Sequence, residues 1–126
     1  MHKSQLAGFI LDCNTENLQG AADFWGAALG VEVEQTALPG EEKYRSLYTA
    51  PGEVHVEVQK VEHASRVHID IETDDIEAEV GRLEQLGAKR IEGVHTWVVM
   101  EAPTGQRFCV VRPQRANFEE SAHRWD

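Results

Sequence analysis

The apolar positions along the chain change period several times, and each change marks an element. Leu6 to Cys13 is a short apolar run rich in strand formers, which predicts a first strand. Leu18, Ala21, Ala22, Trp25, Ala28 and Leu29 then recur at helical spacing, and Gly30 supplies the stop. Between Val31 and Gln59, strand-like pieces are separated by Pro39-Gly40 and Pro51-Gly52. The last piece, Val54 to Gln59, alternates strictly, so one of its faces is apolar. The order then starts again. Val67 to Glu72 alternates as a strand, and Asp74 to Leu86 carries Ile76, Val80, Leu83 and Leu86 on one helical stripe, with Gly87 as its stop. Trp97 to Met100 reads as a strand, Pro103-Thr104-Gly105 as a turn and Phe108 to Val111 as the closing strand.

Strand, helix and three strands, given twice, is an internal repeat. The halves answer each other locally: Ala28-Leu29-Gly30-Val31 matches Gln85-Leu86-Gly87-Ala88, and Ala50-Pro51 matches Ala102-Pro103. The expectation is an α+β fold of two βαβββ modules, about 6–61 and about 66–112, within a single domain 1–126. The bridge from Lys60 to Arg66 is too short for separate domains. In the tail, 113–126, Phe118, Ala122 and Trp125 fall at near-helical spacing and predict a short helix that must dock to persist.

Composition narrows the partners. The 126 residues are 41% hydrophobic and 27% charged, with a formal net charge of −10 and no long single-sign run. That balance suits a soluble globular chain and argues against nucleic acid, whose phosphates require clustered Lys and Arg. No apolar run has the length of a membrane span. The segment Met1-His2-Lys3-Ser4-Gln5 carries no signal-peptide core, and the only two cysteines, Cys13 and Cys109, sit in apolar strand patterns as reduced thiols. A cytoplasmic location is expected.

The run His68-Ile69-Asp70-Ile71-Glu72-Thr73-Asp74-Asp75, an amphipathic helix, Leu86-Gly87-Ala88 and then Ala102-Pro103-Thr104-Gly105-Gln106-Arg107-Phe108-Cys109 resembles the second module of the vicinal-oxygen-chelate superfamily, which includes glyoxalases and bleomycin-resistance proteins. Leu11-Asp12-Cys13, Ala22-Asp23-Phe24-Trp25 and Ala28-Leu29-Gly30 resemble the first module of its glyoxalase-like subgroup. The resemblance covers roughly Leu6 to Pro113. It implies a mixed sheet curled around a groove, a small-molecule ligand and a homodimer.

In a βαβββ module the helix covers one face of its sheet. Alternation then sends Val54, Val56, Val58, Val67, Ile69, Ile71, Phe108 and Val110 to the helices. The groove face receives His55, Glu57, Gln59, His68, Asp70, Glu72, Arg107, Cys109 and Val111, with Gly8, Ile10 and Asp12 from the first strand. Trp97 stands on the neighbouring strand as a candidate aromatic wall. The expected ligand-binding residues are Glu57, Asp12, Asp70, Trp97, Arg107 and Cys109, and the acids among them together with Glu72 favour a cationic ligand. Phe24-Trp25 falls within the helical pattern and is read in part as core.

Metalloenzymes that share the resemblance take ligands from the first and last strand of each module. His68 falls on the opening position of the second module, seven residues before Asp75. The matching place in the first module is Gly8 or Ile10, neither of which binds metal through its side chain. The closing positions are Cys109 and either Val56 or Glu57. One firm ligand, one doubtful carboxylate and one thiol argue against a metal. His68 is therefore read as a groove histidine that hydrogen-bonds a ligand, with general acid–base work as its catalytic alternative. Asp70 and Glu72 share its strand face, too far along it for a hydrogen bond to be assumed.

The leading expectation is a metal-independent, small-molecule-binding member of the glyoxalase-like group. One alternative is a lyase, isomerase or dioxygenase with a divalent metal at His68 and Glu57. The other is a drug-sequestering resistance protein.

Overall fold

The computed structural model describes residues 1–35 and 39–126. Of the loop from Leu38 to Arg45, Leu38 lies outside the described residues. The elements are β1 (His2–Cys13), α1 (Leu18–Leu29), β2 (Glu32–Val33), β3 (Tyr44–Tyr48), β4 (His55–Lys60), β5 (Arg66–Thr73), α2 (Ile76–Gln85), β6 (Lys89–Val94), β7 (Trp97–Glu101), β8 (Arg107–Val111), α3 (Phe118–Ser121) and β9 (His123–Trp125). Strand, helix and three strands do occur twice, in a mixed α+β fold. Two compact units emerge, one of residues 9–67 and one of residues 1–8 with 68–126.

In the unit 9–67, β2 pairs antiparallel with β3 and β3 with β4. Helix α1 starts at Asn17, whose side chain accepts the Gly20 N–H at 3.0 Å, and ends at Gly30 in the left-handed conformation (φ 72°). Its buried side chains Leu18 and Ala22 meet Leu47 and Val58, with Leu11, Cys13, Trp25, Val33 and Val56 packed around them. Each fully buried Leu or Val contributes roughly 1.5–3 kcal/mol. Gly26 lets the helix approach β2 closely, because a Cβ there would collide with Val33. Phe24 stays exposed and meets Trp25 edge to face at 5.1 Å, so only Trp25 of that pair joins the core.

In the other unit, β5 runs parallel to β8, while β8 with β7 and β7 with β6 are antiparallel. Helix α2 is capped by Asp75, which accepts the Ala78 N–H at 3.1 Å, and lays Val80 and Leu83 on Val98, Met100 and Val110. Ile71 and Phe108 pack against the same cluster. Val67 and Ile69, expected beneath a helix, are instead 59% and 43% exposed, because the core under α2 is made by β7, β8 and Ile71 farther along β5 and not by the start of β5. The polar alternates Asp70 and Glu72 are the buried ones.

The tail also departs from expectation. Its helix is a single turn, and Trp125 belongs to a strand, β9, paired antiparallel with His2, Lys3 and Ser4. Two buried carboxylates hold it. Glu72 Oε1 accepts the N–H groups of Gln114 (2.6 Å) and Arg115 (2.9 Å), and its Oε2 accepts from Gln5 Nε2 (2.6 Å). Glu79, fully buried on α2, accepts from His2 Nε2 (2.7 Å) and from Arg82 Nε and Nη2 (each 2.8 Å). The Arg82 guanidinium lies 3.9 Å from the centroid of the Trp125 ring, whose Nε1 donates to Ser4 Oγ at 2.8 Å.

Burial alone would raise the pKa of Glu79, but hydrogen bonds from Arg82, His2 and Ser4 outweigh it and hold the carboxyl below its ordinary value. A lowered carboxyl stabilises the fold above the unfolded value, about 4.3, and that stability is lost as pH falls through the folded one. Glu79→Ala is expected to cost about 3 kcal/mol at neutral pH, because it strands buried partners. In thermal melts the gap between the two proteins should narrow on acidification below about pH 4.3. A gap independent of pH would remove Glu79 as the charged anchor of the tail.

Candidate functional site

The site is built on the face of the unit 1–8 with 68–126 that lies opposite α2. Alternation puts His68, Asp70 and Glu72 of β5 on that face, and register puts Cys109 beside Asp70 and Val99 beside Cys109. His68 Nε2 stands 3.5 Å from Asp70 Oδ1, with both side chains largely buried. One ligand atom from each of His68, Asp70 and Cys109 lies within 4.8 Å of the others. The candidate base and two of the expected ligand residues therefore meet at one point.

Asp70 is the informative member. Its residue is 9% exposed, and among the described residues no hydrogen bond reaches its buried Oδ1. An unsatisfied buried acceptor costs about 1–3 kcal/mol, more when it is charged. A cation between the three side chains would satisfy it. Ligand atoms sharing one zinc-type tetrahedral ion stand roughly 3.5 Å apart, which His68 and Asp70 already do. Imidazole, carboxylate and thiolate together suit a borderline ion of the zinc class. The three side chains fit a divalent metal, in a combination different from the His68 and Glu57 pair considered from sequence.

The other candidates separate. Glu57 belongs to the unit 9–67, where its Oε1 lies 3.4 Å from His55 Nε2. Asp12, in the same unit, faces Arg66 at 3.8 Å. Glu72 is consumed by the tail. These pairings remove most of the acidic charge on which the cationic-ligand expectation rested. Trp97 on β7 stacks at a tilt on His95, 5.4 Å between centroids. Arg107 on β8 faces Glu101 of β7, with Nε 3.2 Å from Oε1. Burial first, and the charge of Asp12 second, raise the Cys13 thiol above its ordinary value, in keeping with a packed thiol.

Sequence reasoning missed the pairing of His68 with Asp70 and of His55 with Glu57. A readable signal existed, since both are a histidine and an acid two residues apart on one strand face, roughly 6.6 Å along the backbone and within side-chain reach.

A strand, a helix and three strands, given twice around a mixed sheet, is the order of the vicinal-oxygen-chelate class. The chain matches the family model of the glyoxalase-like domain over residues 9–111 and belongs to that family. No curated protein matches its sequence. Among solved structures it is similar to a hypothetical protein from Bacillus halodurans (TM-score 0.57, 15% identity, 90% of this chain and 99% of that one). It is similar to a triple mutant of 4-hydroxymandelate synthase from Streptomyces coelicolor (TM-score 0.63, 19% identity, 91% of this chain), of which it spans 41%. A third is a variant of methylmalonyl-CoA epimerase from Streptomyces coelicolor in complex with 2-nitronate-propionyl-CoA (TM-score 0.54, 14% identity, 85% of this chain and 96% of that one). At these identities the likeness is one of fold.

If Asp70 carries an unsatisfied buried charge, neutralising it should help the metal-free protein. Asp70→Asn, melted in chelator, is expected to be more stable than the wild type by about 1–2 kcal/mol. A lower melting temperature would mean that Asp70 is satisfied without a cation.

Proposed function

We propose that the chain is a divalent-metal-dependent enzyme of the glyoxalase-like family, acting on a small substrate that presents two neighbouring oxygens. His68, Asp70 and Cys109 would hold the ion. The observation that supports this reading is the buried Asp70 Oδ1, which no hydrogen bond reaches among the described residues and which lies 3.5 Å from the His68 imidazole. Three protein ligands leave coordination positions open, as catalytic sites require. The ion would supply Lewis acidity to substrate oxygens and lower the pKa of a bound water.

The protein's own contribution is placement. His68 and Asp70 project from one strand and Cys109 from its parallel neighbour, so rigid backbone fixes the three groups. Apolar Val99 and Val111 border Cys109 on the same face and lower the local dielectric.

The His68–Asp70 separation also supports a second, metal-free reading, in which Asp70 orients the imidazole and His68 hydrogen-bonds or deprotonates a bound molecule. Metal content distinguishes the two. Protein purified without an affinity tag should carry near-stoichiometric divalent metal, and chelation should lower the melting temperature by about 5–10 °C. Cobalt(II) loading should give a thiolate-to-metal charge-transfer band that is absent from Cys109→Ser, and His68→Ala should abolish tight retention. Metal-free protein whose stability ignores added zinc, nickel, manganese and iron would leave the metal-free reading.

A further inference from the structure

The row of the sheet next to the metal-binding candidates carries an unbalanced positive charge. Arg107 lies two residues before Cys109 on the same face of β8, one register step before the Ile69–Phe108 pair and so beside His68. Across β8, β7 and β6, register aligns Arg107, Glu101 and Lys89, which sets two cations against one carboxylate. This occurs on a chain of net charge −10. Glu101 meets the Arg107 guanidinium at its Nε, 3.2 Å away, and among the described residues the structure gives no partner to the two terminal nitrogens. The side chain is 41% exposed. A guanidinium steadied at Nε presents its outer edge as a two-pronged donor matched to a carboxylate.

We infer that Arg107 sets the substrate class: it binds a carboxylate, so the molecule whose neighbouring oxygens meet His68, Asp70 and Cys109 is a small oxygenated acid and not a neutral or cationic compound. The assignment rests on the metal-site reading for the chelating end of the substrate, whereas the carboxylate end rests on Arg107 alone. Glu101 acts here as a positioning residue, holding the guanidinium at the edge of the site. The cationic ligand favoured by acid counting gives way, because Asp12 and Glu72 are committed to other partners.

The experiment compares oxalate, an anion with neighbouring oxygens, with oxamide, its neutral counterpart. Calorimetry is run on wild type, Arg107→Gln and Arg107→Lys, each loaded with zinc and, separately, chelator-treated. In zinc-loaded protein Arg107→Gln should weaken oxalate by about tenfold to a hundredfold and oxamide by no more than about twofold. Arg107→Lys should recover part of the loss, since an ammonium keeps the charge and loses the fork. Melting temperatures of all three proteins should agree closely, because an exposed ion pair contributes little stability. Oxalate affinity unchanged in Arg107→Gln, or oxamide lost to the same degree, overturns the inference. Failure of the metal reading looks different. The protein would not retain zinc, and oxalate binding to chelator-treated protein would then decide Arg107 by itself, for it if Arg107→Gln still weakens the anion and against it if not.

Discussion

A carboxylate removed from water must be met by protons or cations inside the protein, and the way this chain meets that demand organises both its tail and its site. Four acids are buried among the described residues: Asp12, Asp70, Glu72 and Glu79. Glu79 draws on His2 and Arg82, Glu72 on a glutamine side chain and two tail N–H groups, and Asp12 on Arg66. At Asp70 the protein supplies a neighbouring imidazole at 3.5 Å and no hydrogen bond to Oδ1. Glu72 and Glu79 are structural because their demand is met by hydrogen bonds from the chain, and Asp12 is held by the Arg66 guanidinium. The fourth leaves something for a ligand to complete.

The fold was legible because it depends on period and punctuation. The switch between a spacing of two and helical spacing located the longer elements, and Gly30 and Gly87 ended the helices where their backbone adopts positive φ. What escaped was decided by partners distant in sequence. Trp125 has the spacing of a helix, yet it gains more from an indole hydrogen bond to Ser4 and the Arg82 guanidinium on its ring than a single helical turn could give. Strand β6 escaped because Lys89, Arg90, Ile91, Glu92 and Gly93 are all exposed and present no apolar alternation.

The candidate site was half legible. Strand alternation placed His68, Asp70 and Cys109 on one face, but two simplifications concealed their meeting. Matching ligands position by position to a family pattern directed attention to the first strand, where glycine and isoleucine stand, and away from the residue two places beyond His68. Acids were also weighed by number, as though each faced solvent. Glu72 and Asp70 are adjacent alternates on the same strand face with opposite fates, because the tail reaches one and not the other. No periodicity contains that difference. It depends on where residues 114 and 115 come to rest.

The same adjacency connects the tail to the site. Glu72 ties the tail's backbone to the end of β5, two residues from Asp70, so docking the tail also fixes the pleat that carries the site's imidazole and carboxylate. A strand held at that end cannot slip its register, and a one-residue slip would turn His68, Asp70 and Glu72 together to the opposite face. Three buried polar side chains are a poor way to stabilise a strand, since apolar residues in their place would need no partners. They are a good way to fix its register. On this argument the anchored glutamate and the unsatisfied aspartate form one device, in which the first holds the strand so that the second keeps its position between an imidazole and a thiol.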